Sequence, residues 1–417
     1  MTPDASILWL SCTALLALAF PAGLGWMSAG NRSQQEPQGG RLLAATLLAG
    51  LVAATVGFPL LYGAAHFPAL GESAHASWQW QPFGEGSGLL AWDGLGVRNA
   101  NTPARAALLL LQVSGTLCVV TISLLPVLRR LWAPGWIAAM VAIAGLLYPL
   151  LAHWVWGEGW LAQTGLTGYL GHGFVDPGGA GVHYGLGGLL ALASLLATGA
   201  RRRGAVREGS PPLGAALLAF AGMCSLQLGS LRSLSPQLAT AALNTLASAA
   251  SGGIAAAVYM AFTTTRLRAD MLARGLLAGT AAAAGLAPFA PVGTLAGVGA
   301  VAGLLMCLGS YLVERVWKLD DSAGLISIFG LCGLWGVLAV GLFADGRCGA
   351  GWNGVGTEIY LGVAGQGVTG IALVAPGMAR DFGQLAAQLL GIATILAWGL
   401  GLGWVVFRLA SVRRVPR

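Results

Sequence analysis

His183 lies in the run FVDPGGAGVHYGLGGLLALA (174–193), an apolar, glycine-rich stretch of membrane-spanning length. Ionisable side chains inside membrane segments are rare and costly, and they mark solute or proton paths. A neutral imidazole carries one donor and one acceptor, so it can take a proton or line a narrow pore. The plainer alternative is a core histidine bonded to a backbone carbonyl. Asp176 stands seven residues earlier, at the expected start of the helix. An acid there is stabilised by free backbone N–H groups and by the helix dipole. A second acid, Asp321, precedes a second glycine-rich run, DSAGLISIFGLCGLWG, but eight residues further on stands Phe329, not a histidine. No apolar run holds a paired carboxylate or a metal-ligand spacing. Cys12, Cys118, Cys224, Cys307 and Cys332 fall inside apolar runs, Cys348 is alone in a loop, and no CxxC occurs. An enzyme, a resident metal or a cofactor is therefore not expected.

Membrane helices must position these groups. Hydrophobic residues make up 56% of the 417 and charged residues 9%, where a soluble domain carries about 25% charged residues. Eleven apolar runs are read as spans: 6–28, 42–65, 104–127, 131–153, 179–199, 212–230, 238–262, 272–288, 293–314, 323–343 and 384–409. They lack two-residue alternation, so helices rather than a barrel satisfy their backbone in lipid. Of the 22 basic residues, only Arg98, Arg105, Arg232, Arg347 and Arg380 fall on one side, and the other 17 follow odd-numbered spans. The positive-inside rule puts the N-terminus outside and the C-terminus inside, which requires an odd number of spans. The net charge of +7 then follows from topology and does not point to nucleic acid. The start MTPDASILWLSC lacks a basic leader region, so no cleavable signal peptide is expected. A bacterial inner membrane is the expected location, since eukaryotic targeting features are missing. The loops at about 66–103 and 344–382 lie outside and are rich in glycine and tryptophan.

Asp176 sits at the outer entrance of the fifth span and Asp321 at the inner entrance of the tenth. Opposite orientation five spans apart fits a 5+5 inverted repeat with one added helix. The whole chain, 1–417, is then one unit with halves 6–199 and 212–343 and an extra helix at 384–409. The 65 glycines suit closely approaching helices in a tight bundle.

Several stretches, in order, resemble the ammonium transporter/Rhesus family: AHWVWGEGWLA (152–162), DPGGAGVHYGLGGLLALA (176–193), ARGLLAGTAAAAG (273–285) and KLDDSAGLISIFGLCGLWGVLAVGLFA (318–344). The resemblance implies a homotrimer of 11-helix subunits, each with its own narrow hydrophobic pore for ammonium or ammonia. Trp156 matches a tryptophan that helps bind ammonium at the outer mouth, where an indole face attracts a cation; an interfacial belt tryptophan is the alternative. Ser230, in LQLGS (226–230), matches a hydroxyl that accepts from ammonium; bonding back to its own helix is the alternative. Leu226 takes the place of a gating phenylalanine, and no aromatic residue between 107 and 131 supplies the other gate, expected near Gly115 or Leu117. Asp176 is implied to hold the mouth's shape. His183 matches the first of two pore histidines, and Phe329 replaces the second, so the twin-imidazole proton relay is lost. The short tail ASVRRVPR implies weak or no regulation by PII-type proteins. The leading expectation is neutral ammonia conduction, with ammonium recruited at Trp156 and Ser230. The alternatives are a poorly conducting ammonium receptor and a channel for another small neutral solute such as CO2.

Overall fold

The computed structural model describes residues 3–29, 36–63, 65–71, 78–92, 94, 96–97, 100–199, 213–232, 236–264, 266–321, 323–348 and 351–412. A helix stands at each of the expected apolar runs. They are α1 (Pro3–Ser28), α2 (Gly39–Tyr62), α3 (Pro103–Leu124), α4 (Ala133–Gly168), α5 (Ala180–Thr198), α6 (Leu213–Gly229), α7 (Pro236–Thr263), α8 (Ala269–Leu286), α9 (Val292–Val316), α10 (Ile326–Phe343) and α11 (Phe382–Ser411). Nine of these, among the described residues, are long and apolar enough to cross a membrane. The exceptions are α6, with 17 residues, and α8, whose first turns carry Asp270 and Arg274. The fourth element outruns the expected 131–153. Its apolar helix continues through the aromatic residues to Trp156, breaks at Gly157–Gly159, and resumes as a short helix over Trp160–Gly168. The long loops also hold structure: antiparallel hairpins pair β1 (Trp78–Trp80) with β2 (Leu90–Trp92), and β3 (Ile359–Tyr360) with β4 (Val363–Ala364).

Packing partners recur five helices further along the chain. The pairs α1–α3, α2–α3, α2–α4 and α3–α5 have counterparts in α6–α8, α7–α8, α7–α9 and α8–α10, while α1 meets α6 and α5 meets α10. α11 lies against α5 and α10. Small residues make the closest crossings possible: a Cβ at Gly188 of α5 would collide with the backbone of Gly330 in α10, and one at Gly303 of α9 with the carbonyl of Gly252 in α7.

The described basic residues that follow odd-numbered helices gather at one end of the bundle. There Arg130 pairs with Asp320 at 2.9 Å, Arg41 donates to the Leu128 carbonyl, and the Trp132 indole donates to Ala410. Arg32, Arg201, Arg202, Arg203, Arg207, Arg413, Arg414 and Arg417 lie outside the described residues, as does the tail on which the PII expectation rests. Arg98, on the opposite side of the count, lies outside them too.

Candidate functional site

Two acid-capped helix entrances frame the site. The Asp176 carboxylate accepts from the backbone N–H groups of Ala180 (2.7 Å), Gly181 (2.9 Å) and Val182 (2.9 Å). The Asp321 carboxylate accepts from Leu325 (2.7 Å) and Ile326 (3.0 Å). Each satisfies donors that an uncapped helix start would leave bare. Burial pushes both carboxyls up to about 6, against the pull of these N–H groups and, for Asp321, of Arg274. Directly after each cap the helix is wound as a π turn, at Ala180–Gly185 and at Ile326–Leu331. Such turns carry an extra residue and displace side chains from their α-helical positions. Gly179 makes the first possible: its φ is +83°, and a Cβ there would strike the His183 ring.

The residue that meets Phe329 lies one position beyond His183, eight residues after its aspartate as Phe329 is after Asp321. His183 was expected beside it, but the ring that stacks on Phe329 is that of Tyr184, at 5.8 Å between centroids and 28° between planes. Phe20 adds an edge at 5.7 Å, and all three rings are fully buried. The Tyr184 hydroxyl points to the Met223 carbonyl at 3.4 Å. His183 instead faces the end of the bundle away from the clustered arginines. Its Nε2 is 3.0 Å from the Tyr148 hydroxyl, its ring is 5.0 Å from that of Trp156, and its buried Nδ1 has no partner among the described residues. The missing aromatic near Gly115 also finds its reason here. A Cβ at Gly115 would run into the Tyr148 hydroxyl and the His183 Nε2. That space is already filled by rings from α4 and α5.

Beyond His183 lies a cavity. Trp156 is fixed by a 2.9 Å bond from its indole N–H to the Asp176 carbonyl. One face of its ring is covered by the guanidinium of Arg232, 5.6 Å from the centroid, and the same cation lies 5.5 Å from Tyr62 and 5.2 Å from Phe67. Ser230 closes α6 with its hydroxyl donating to the Leu226 carbonyl at 2.8 Å, the back-bonded geometry, which leaves its oxygen lone pairs as acceptors. Leu226 is buried one turn below. A cavity of about 400 Å³ opens at this level, lined by Trp156, Glu158, Asp176, Arg232, Trp352 and Asn353 among others.

A family model described as Ammonium Transporter Family matches residues 7–413. The chain belongs to the ammonium transporter family. It is 28% identical over 296 residues to the ammonium transporter Amt2 of Archaeoglobus fulgidus, covering 66% of this chain and 58% of that protein. It is 31% identical over 214 residues to an ammonium transporter of Bacillus subtilis, covering 48% of each. The matched stretch thus spans less than two thirds of these relatives' length. Among solved structures, a Sensor Amt Protein superposes with a TM-score of 0.77 at 23% identity, over 97% of this chain and 92% of that one. Mep2 of Candida albicans gives 0.74 at 19% identity, over 97% and 83%. At these identities the structural likeness establishes the fold. The protein is a multi-pass membrane protein of a family of transporters.

In this family member, three groups that the sequence did not single out hold the segment before Asp176 in place. Gln384 and Gln388, one turn apart on α11, clamp the extended segment that leads into Asp176. Gln384 accepts from His172 N–H and donates to the Gly173 carbonyl. Gln388 accepts from Val175 N–H and donates to the Val175 and Val337 carbonyls. Asn353 donates to the carbonyls of His172 and Phe174. Amides at i and i+4 in an otherwise apolar helix were the available signal, since buried amides need partners. His172 is enclosed here as well, its ring tilted 46° against that of Tyr360 at 4.2 Å between centroids, and the Tyr360 hydroxyl donates to Asp381 at 2.9 Å. Burial lowers the His172 pKa, opposed by the nearby Asp381 carboxylate and by Gln384.

Proposed function

We propose that this ammonium transporter family member passes ammonia in its neutral form through a dry pore in each subunit of a homotrimer, with no proton relay. The observation that carries the reading is the Tyr184–Phe329 stack at the crossing of α5 and α10. A relay needs titratable groups in hydrogen-bond contact. Here the one imidazole, His183, is turned toward Tyr148, and the two rings on the path are a phenyl and a phenol whose hydroxyl is directed at a backbone carbonyl. Trp156, Ser230 and Leu226 form the outer side of the path in this reading. His183 lines the path beside Tyr148, and Asp176 and Asp321 keep the two helix entrances in shape. The arginine distribution supports an inner membrane location with the N-terminus outside. The recurring helix pairs support eleven spans built as a 5+5 inverted repeat plus α11.

The test is lumenal pH in proteoliposomes after an ammonium jump, with membrane current recorded in parallel. Alkalinisation faster than in empty vesicles, without ammonium-dependent current, supports the proposal. A current that scales with flux overturns the loss of the relay. The same stack favours a second reading. Tyr184, Phe329 and Phe20 fill the middle of the bundle, and passage requires these rings to part. If alkalinisation matches empty vesicles while the protein stays folded, the rings do not part and the protein is an ammonium receptor.

A further inference from the structure

We infer that Arg232 is an internal cation seated in the aromatic site at the mouth, and that it makes the entrance select neutral amines over their protonated forms. The inference rests on reading the cavity beside Trp156 as the entrance of the pore. Three rings surround one guanidinium at 5.2–5.6 Å. Convergent aromatic faces are how proteins bind ammonium-type cations, and one seat holds one cation. The cage is rigid. Trp156 is tied to the Asp176 carbonyl, and Tyr62 and Phe67 meet edge to face at 5.2 Å. Two features of Arg232 set it apart from a solvated arginine. Its Nε is buried and has no hydrogen-bond partner among the described residues, while the guanidinium also bonds the hydroxyl of Tyr62, one of the three rings. Its backbone is left-handed, with φ +58°, in the turn closed by Arg232 N–H and the Gly229 carbonyl. A non-glycine residue held there stores strain, which the surrounding contacts must offset. Glycine would meet the turn without strain but would leave the cage empty.

The consequence is chemical. A protonated amine reaching Trp156 must displace the guanidinium or share a partly dehydrated site with it, where like charges repel strongly. A neutral amine meets no such barrier. The entrance therefore acts as a charge filter ahead of the Tyr184–Phe329 stack.

The test is calorimetric titration of the purified full-length protein with ammonium chloride against a sodium chloride background of equal ionic strength. Wild type is compared with Arg232→Gln, which keeps much of the length but loses the charge. Arg232→Gly, which also relieves the left-handed backbone, stands in if the glutamine variant does not fold. Emptying the seat is expected to tighten saturable ammonium binding about tenfold or more, and adding Trp156→Ala is expected to remove that gain. Equal affinity in wild type and variant overturns the inference. So does an absence of saturable binding in a variant that elutes and melts like wild type. Binding is read without flux, so a protein that fails to conduct but gains affinity sinks the conduction reading and leaves the role of Arg232 standing.

Discussion

The entrances of α5 and α10 are built alike and differ in what they present. Each starts with a buried aspartate bonded to backbone N–H groups and continues into a π turn. After the first cap, the chain delivers an imidazole toward the mouth and a tyrosine toward the centre. After the second, it delivers Phe329 alone. The shared part is scaffolding: cap, π turn, and a glycine contact at Gly188 and Gly330 that brings the two backbones together. The difference lies in one residue of register. Seven residues separate Asp176 from His183 and eight separate Asp321 from Phe329, so the residue equivalent to Phe329 by count is Tyr184. The comparison teaches that cap and side chain are separable. The same scaffold carries a phenol at one entrance and a phenyl at the other.

The largest expected effect tests the shared part. Asp176→Ala strands three buried N–H groups and Asp321→Ala two. At about 1–3 kcal/mol for each unsatisfied buried donor, the first variant loses about 3 kcal/mol or more and the second less. Thermal melting of the detergent-solubilised protein, followed by size-exclusion fluorescence, checks the order. If Asp321→Ala melts lower than Asp176→Ala, the caps are not graded by the bonds they make. Next comes the crossing. Gly188→Leu forces a side chain onto the Gly330 backbone, and overpacking at about 1–3 kcal/mol should lower the same melting midpoint. A matching change at the exposed Gly293 near the start of α9, Gly293→Leu, meets nothing within 4 Å and should leave it unmoved.

A third variant pair sharpens the difference between the two entrances. Phe329→His alone places an imidazole against a tyrosine ring and is expected to create no relay. Tyr184→His combined with Phe329→His puts imidazoles at both crossing positions. Ammonium-dependent current in proteoliposomes should appear in the double variant and stay at background in either single one. Current from Phe329→His alone would mean that His183 swings down to meet it, contrary to its bond with Tyr148.

Hydropathy reads long helices well, because some 20 residues contribute to each decision, and a helix stands where each apolar run was read. The caps were legible for a similar reason: an acid before a glycine-rich run has few other uses. The π turns were not legible. They leave no side-chain signature, but both entrances carry one, so they do not offset one helix against the other. His183 was set against Phe329 because the residue type matched a family motif, although the count of eight residues from each aspartate already pairs Tyr184 with Phe329. Arg232 was visible only as one of five arginines on the sparse side. What singles it out is the meeting of Tyr62, Phe67 and Trp156 from α2, its following loop and α4, and no local pattern encodes that meeting. The clamp from Gln384 and Gln388 likewise joins residues more than 200 positions apart.

The smallest expected effect concerns the clamp beside the first entrance, for which the second has no equivalent histidine. His172 is buried against Tyr360 with a pKa below its ordinary 6.5. The unfolded chain therefore binds a proton more readily than the folded one. The contribution of His172 to stability is fully present above pH 6.5 and is lost as pH falls through 6.5 toward the folded value. Asp176 and Asp321 act with the opposite sign. Their carboxyls are raised to about 6, so acidification toward and below that value favours the folded state. The wild-type pH profile mixes the two, and the quantity to read is the difference between wild type and His172→Gln. Between about pH 8 and about pH 5, wild type should lose more stability than the variant, because the lowered His172 pKa makes acid favour the unfolded chain only where the imidazole is present. Parallel melting profiles for the two proteins would mean that Asp381, 4.0 Å from the His172 Nδ1, compensates the burial, and that the clamp does not sense acid.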